Sequence, residues 1–391
     1  MSAAVVPARS ALAAQRIQYR VGHGGFHATI VEDSAPKHHL VYVYDVGSKP
    51  DKRELLLAIK SFVRDLSTRG ITQVDYVFLS HIDEDHVNGL RELLDALKNH
   101  KPTIAVANVV LPWLSSVQKL LTQSRNNHRQ LGTVARNLAA TDEEADNYLL
   151  RLGARNVIRV TAEGDDATPT ATSTTSSGVI PKLPASFTGW LLLPIRTPTP
   201  VGFESSFRSE LSKLLKKHGL NPNNPAHHEK ILTDHRSAIK TALTKVASQL
   251  GVTRKKIANW SSLALLHGSS TPAQTCVAGS RHQHIVVQCA HGWLHTGDLP
   301  VSDAVVWGNL SSELGQASLT SPLCVVVAPH HGSGLDHQDA LYDSLKPGTV
   351  ILTTGTKLSG RNKGAPSYSY GLGGVRTKAG LIGATVVELN N

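Results

Sequence analysis

At 391 residues the chain is long enough to bury a sizeable core, and its formal charge of +10 makes polyanions candidate partners. No stretch stays apolar for the roughly 20 residues that a membrane helix needs, and the Ala-rich start, Met1 to Gln15, lacks the basic and long apolar regions of a signal peptide. Three isolated cysteines, Cys276, Cys289 and Cys324, read as buried thiols rather than a disulfide framework, so a cytoplasmic protein with no membrane partner is expected.

In chain order, residues 17–46 read as a β-hairpin, with His38 and His39 at the surface beside its turn. Leu55, Ile59, Phe62, Val63 and Leu66 recur at helical spacing within 51–68. Val74 to Leu79 is a buried strand, and Leu90 to about Lys98 is an amphipathic helix. A strand over Ile104–Leu111 is closed by Pro112 and Trp113, a helical stretch over 115–151 follows, and Val157–Thr161 is a further strand. The Ser/Thr-rich residues 164–188 offer neither periodicity nor apolar area and predict a flexible surface loop. Trp190–Pro194 resumes as a strand. Two helices, about 204–218 and 229–250, are then separated by the turn-rich Asn221-Pro222-Asn223-Asn224-Pro225. The remainder predicts a strand at 260–266, a hairpin at 283–296, a helix near 302–315, a strand at 323–328, a helix at 336–345 and a strand at 349–353. A Gly-rich tail, 359–374, precedes a closing strand at about 384–389.

Charge is unevenly placed. Residues 204–256 carry eleven Lys or Arg against four Asp or Glu, and 357–378 carry five basic residues and no acidic one, so the rest of the chain is slightly acidic. Concentrated basic charge suits nucleic acid or another polyanion. Solvated helix faces explain Lys213, Lys216, Lys217, Lys240 and Lys245 equally well, because no aromatic residues are interleaved to stack bases.

The most informative stretch is Ser80-His81-Ile82-Asp83-Glu84-Asp85-His86-Val87-Asn88-Gly89. Its H-x-D-x-D-H core places four candidate metal ligands on a strand-to-helix turn, where side chains can converge. Imidazole and carboxylate together suit zinc, manganese or iron. Two later segments put ligand types at the ends of strands, where open sheets present their sites. They are His295-Thr296-Gly297-Asp298 and Ala328-Pro329-His330-His331-Gly332-Ser333. An earlier strand, Val41 to Gly47, ends in Asp45 and Gly47.

The order D-x-G, H-x-D-x-D-H, T-G-D, H-H-G-S resembles the metallo-β-lactamase fold. Within it, the chain is most similar to the branch holding the hydrolase domain of the DNA-uptake protein ComEC and the phosphorylcholine esterases. Val21-Gly22-His23-Gly24-Gly25-Phe26 resembles that branch's opening strand, and Trp260 to Leu266 another of its strands. The resemblance implies an α/β fold: a four-layer α/β/β/α sandwich of two half-repeats, here one domain over 17–391 with a basic helical insertion at 203–256. It also implies two divalent ions, zinc foremost and manganese as the alternative. His81 and Asp83 would serve the first ion, Asp85, His86 and His331 the second, and Asp298 both. His330 would face the substrate as an acid or anion contact, unless the roles of His330 and His331 are exchanged.

Two departures stand against the pattern. A further histidine for the first ion is lacking where Leu111-Pro112-Trp113 stands; His128 reads as a surface residue, and His267 is a weak substitute. A late G-H-P motif is replaced by Gly364-Ala365-Pro366, which moves any role of its histidine to Lys363, Tyr368 or Tyr370 or removes it.

The chemistry that such ligands support is hydrolysis. Two ions about 3.5–4 Å apart bring a bridging water towards hydroxide at neutral pH. Asp85 would orient that hydroxide and accept its proton, and Asp45 would support the site without binding metal. The leading expectation is a metal-dependent phosphodiesterase or nuclease. The alternatives are a hydrolase of a small phosphoester, ester or amide, and a metal-retaining module for a protein partner.

Overall fold

The computed structural model describes residues 12–33, 38–49, 52–125, 133–162, 174–176, 183, 185–187, 189–200, 202–252, 254–269, 277–281, 284–288, 291–317, 323–333, 336, 338–353 and 385–388. Its strands in chain order are β1 (Ala13–Gln18), β2 (Phe26–Glu32), β3 (His39–Val46), β4 (Gln73–Phe78), β5 (Ala105–Pro112), β6 (Ala154–Thr161), β7 (Thr174–Ser176) and β8 (Trp190–Arg196). They continue with β9 (Leu263–Ser269), β10 (Val277–Arg281), β11 (His284–Gln288), β12 (Trp293–His295), β13 (Val325–Val327), β14 (Thr349–Leu352) and β15 (Thr385–Glu388).

They form two sheets. The first has the order β10-β11-β1-β2-β3-β4-β5-β6-β7 and the second β15-β14-β13-β12-β9-β8. Strand periodicity explains how the sheets stack. In β3, Tyr42 and Tyr44 point inward to Phe78, Leu192 and Leu265 of the layer between the sheets. The intervening Val41 and Val43 point outward, onto a core built with Leu55, Ile59, Phe62 and Leu66 of the helix Lys52–Thr68. In β9, Leu265 packs inward, while Ala264 and Leu266 pack outward with Phe203, Phe207, Ile239 and Val306 of the helices over the second sheet. Both sheets are therefore covered on both faces, as near-continuous apolar strands require. The expected four-layer α/β/β/α order is what this packing produces. Each buried Leu, Ile or Phe on those helices contributes about 1.5–3 kcal/mol.

Several boundaries differ from the sequence expectation. The N-terminal hairpin is a three-stranded meander of β1, β2 and β3. Residues 21–25, expected within a strand, form the turn before β2, because Gly22 and Gly24 adopt positive φ. Of the helix expected over 115–151, the described residues form Ser116–Arg125, Thr133–Leu138 and Asp142–Leu152, with an interruption at 139–141. The third piece starts afresh from a capping box in which Thr141 and Glu144 satisfy each other's backbone amides. The hairpin expected at 283–296 does not exist: β11 pairs with β1 and β10 in the first sheet, and β12 with β9 and β13 in the second. Of 164–188, β7 lies beside β6, and Ala185–Phe187 makes one 3-10 turn that buries Phe187. Between 203 and 256 the helices are Phe203–Leu215, His228–Asp234, Arg236–Gln249 and Arg254–Asn259. The expected second helix is thus interrupted at His235, whose backbone is non-helical. No helix is long and apolar enough to cross a membrane among the described residues. Cys324 is a buried free thiol. Cys276, Cys289, His128 and the tail 359–374 lie outside the described residues.

Candidate metal centre

Strand register gathers the motifs at one end of the sandwich. β3 and β4 run parallel with Tyr44 opposite Phe78, so Asp45 and Ser80 leave the sheet side by side. β12 and β13 run parallel with His295 opposite Val327, which sets Asp298 beside the 329–332 turn. Two backbone hydrogen bonds lock the ends together: Leu263 N to Ser80 O at 2.6 Å and His330 N to Gly297 O at 2.9 Å. The chain crowds tightly here. A Cβ on Gly47 would sit 2.2 Å from the Asp85 carbonyl oxygen, so only glycine lets the strand end approach the ligand turn. Asp45, His330 and His331 all hold positive φ, a costly backbone state for these residues that recurs at functional sites.

His81, His86 and Asp298 offer ligand atoms within 4.8 Å of one another, and so do His23, Asp85 and His331. Around the Asp298 carboxylate stand His86 Nε2 at 3.2 Å, His81 Nε2 at 3.5 Å, and His330 Nε2 and His331 Nε2 at 3.6 Å each. Asp83 lies at the rim, 3.9 Å from His81 Nε2. Asp85 lies 3.7 Å from His331, 3.5 Å from His23 and 3.1 Å from the Lys49 ammonium. Sequence reasoning does not single out His23 and Lys49 as site residues. The available signal is the position of each beside glycines, in Gly22-His23-Gly24 and Gly47-Ser48-Lys49.

Each inward histidine is held by its other ring nitrogen. His86 Nδ1 lies 2.8 Å from Asp45 Oδ2, His81 Nδ1 2.9 Å from Ser80 Oγ, His331 Nδ1 2.9 Å from Thr353 Oγ1 and His330 Nδ1 2.6 Å from Asp336 Oδ2. Asp45 also accepts from Ser80 N at 2.6 Å and Ser80 Oγ at 2.7 Å. This arrangement fixes rings with Nε2 directed at a common point, as metal-ligating histidines require. A divalent ion fits the donor set on a direct observation: His81 Nε2 and Asp298 Oδ1 are buried and make no hydrogen bond of good geometry. Likewise, His86 Nε2 and His331 Nε2 face each other at 3.2 Å.

The electrostatics point the same way. Burial opposes ionisation of Asp298, but His330, His86, His81 and His331 outweigh it and hold the carboxyl well below its usual range. Burial likewise opposes the charge on Asp85, and His86, Lys49, His331 and His23 override it, lowering its pKa. Burial disfavours a charged His86 ring, yet Asp298 and Asp45 raise its pKa well above the ordinary value. The proton there stands in for positive charge that a metal would supply. For His330, burial opposes protonation, while Asp298 and Asp336 prevail and push its pKa up to about 9. His331 goes the other way: burial and His23 lower it. The two adjacent histidines differ in exposure too, with side chains 23% and 2% exposed.

His267, a substitute ligand on the sequence reading, is not at this centre. β9 runs on to Ser269, so His267 lies inside the strand and points between the sheets, where its Nδ1 meets the Tyr42 hydroxyl at 2.5 Å. β5 ends with Leu111 and Pro112, which carry no donor for an ion.

Residues 28–221 match the family profile described as the metallo-beta-lactamase superfamily. This is a metallo-β-lactamase fold. Solved structures similar to the chain include unliganded yeast PDE1, at 9% identity and TM-score 0.42, covering 97% of this chain and 98% of that one. The long form of RNase Z from yeast is 12% identical with TM-score 0.35, covering 88% of this chain and 37% of that one. The short form of human tRNase Z (ELAC1) is 10% identical with TM-score 0.38, covering 95% and 91%. These likenesses concern the metallo-β-lactamase fold alone. No curated protein matches the chain.

Proposed function

We propose that the protein is a metal-dependent hydrolase that cleaves phosphodiesters, of the kind found in ComEC-type hydrolase domains and phosphorylcholine esterases. The observation that carries this reading is the convergence of His81, His86, His331 and Asp298 with Asp85, every Nε2 turned inward by a partner on Nδ1. In this reading His81 and Asp83 would hold one divalent ion, Asp85, His86 and His331 would hold a second, and Asp298 would serve both. Zinc suits the donor set, with manganese next. Bound there, such ions would supply an acidified water and neutralise charge developing at the attacked centre.

The chain's own residues do the rest. Asp85 accepts a proton at Oδ2, and Lys49, 3.1 Å from its Oδ1, keeps the carboxylate ionised. His330 is held by Asp336 with Nε2 towards the site, and Asp298 and Asp336 raise its pKa. It is therefore placed to contact a substrate anion or protonate a leaving oxygen. Asp45 fixes the tautomer of His86.

The basic helices 203–256 support a polynucleotide as substrate, because Lys240 and Lys245 line one shallow groove and Lys213 and Lys216 another. One observation favours a small phosphoester instead: Glu210 pairs with both Lys213 and Lys245, at 2.8 and 2.6 Å, and removes part of that charge. The deciding experiment measures turnover of a nitrophenyl phosphodiester with zinc or manganese, before and after chelation, and then polynucleotide cleavage across a salt series. Metal-dependent turnover of both, with steep salt dependence for the polymer, is expected. A loaded protein that turns over neither substrate overturns the proposal.

A further inference from the structure

The layer between the sheets holds a second histidine cluster that the proposed hydrolytic centre does not use. His27 of β2, His267 of β9 and His295 of β12 occupy inward strand positions, 1%, 0% and 2% exposed. One ring nitrogen from each lies within 4.8 Å of the other two. The His27 and His295 ring centroids are 4.3 Å apart, and the His267 ring lies nearly parallel to that of His295 at 5.4 Å. Trp293 and Tyr44 pack against the group. Beside an inter-sheet core cluster of Leu, Val, Ile, Ala, Phe, Tyr and Trp, three imidazoles at one point need a compensating partner.

Their hydrogen bonding shows what kind of partner. His267 Nδ1 meets the Tyr42 hydroxyl and His27 Nε2 meets Thr29 Oγ1 at 2.8 Å, which leaves one nitrogen of each ring uncommitted. His27 Nδ1, His267 Nε2 and His295 Nε2 are buried with no hydrogen-bond partner. His27 and His267, each tied at one nitrogen and bare at the other, match histidines that ligate metal, and His295 adds a third bare nitrogen.

We propose that His27, His267 and His295 form a second, structural site for a late first-row transition ion, copper or zinc. A set of three imidazoles with no carboxylate rejects magnesium and calcium and suits these ions. Burial and the neighbouring Arg16 keep all three rings neutral, so their lone pairs are available. Arg16 lies over Trp190 and Trp293, and its fixed charge weighs most against a doubly charged ion. Monovalent copper is therefore the form that the surroundings favour. Bonds of about 2.0–2.1 Å bring ligating nitrogens to roughly 3.4–3.6 Å apart, so from separations of up to 4.8 Å the rings would draw in by at most about an ångström on loading. His27 and His295 line the same small cavity as His86, Asp298 and His331, so an ion would reach them either through the hydrolytic centre or as the chain folds.

The test is an anomalous difference map from crystals of the full chain refolded with zinc chloride, or with copper(I) under anaerobic reduction. A peak among the three rings at either absorption edge is expected. Refolded His267→Phe should hold one equivalent less metal than wild type while keeping turnover of a nitrophenyl phosphodiester. Absence of that peak in wild-type crystals, or a feature there without anomalous signal, overturns the proposal whether or not the variant folds. A peak or its absence at His81 and Asp298 reports separately on the hydrolytic reading.

Discussion

Asp45→Asn is the most discriminating perturbation of the proposed metal centre. Asp45 belongs to no candidate metal-ligand group, yet its carboxylate accepts three buried hydrogen bonds, at 2.6, 2.7 and 2.8 Å, from Ser80 N, Ser80 Oγ and His86 Nδ1. Asparagine has the same shape and tolerates the positive φ of 56° at this position, so backbone strain is not added. Its amide has only one oxygen. Either Ser80 or His86 then faces an NH2 group, and a His86 ring that flips tautomer loses the Nε2 lone pair needed by an ion. Loss of such outer partners typically costs 10- to 100-fold in metal affinity. One effect runs against this: the Asp45 charge also helps to hold a proton on His86 that an ion must displace. The expectation is therefore near the lower end, about tenfold or ~1.4 kcal/mol. Competition with a chromophoric chelator measures it, and turnover at saturating metal shows whether geometry is also disturbed. Wild-type affinity and rate in the asparagine variant would refute the idea that Asp45 sets the ring.

Asp298→Ala should fold but lose metal, with turnover down more than about 100-fold, since its oxygens face four histidine nitrogens within 3.6 Å. Elemental analysis and the rate on a nitrophenyl phosphodiester report this. His330→Ala should keep most of its metal while turnover falls about 10²- to 10⁴-fold. His331→Ala should instead release metal, and the opposite outcome for the pair would exchange their roles. Reversing Lys213, Lys216, Lys217 and Lys240 to Glu should weaken polynucleotide binding and flatten its log–log salt slope by roughly 0.9 for each phosphate that is no longer neutralised. Small-substrate turnover should hold, and unchanged polynucleotide affinity would mark these lysines as an ordinary solvated face.

What can be read from the chain are features carried by short stretches. Four candidate ligands within His81–His86, and strand patterns ending just before His81, Asp298 and His330, announce a site at the strand ends. Apolar alternation in β3 and helical spacing in Lys52–Thr68 give the layers, because each pattern is a property of one element. Periodicity says which face of a strand is buried but not which sheet receives it. So β11 and β12 read as one hairpin although tertiary pairing sends them to different sheets. The partners of the site histidines, Asp45, Thr353 and Asp336, are set by packing. His86 and Asp45 stand 41 positions apart, and no spacing rule joins them. The three-histidine cluster is the extreme case. His27 carries no local signature, and His267 and His295 are legible only as candidates for the other centre; the facing of the two sheets turns three separate inward positions into one set of nitrogens.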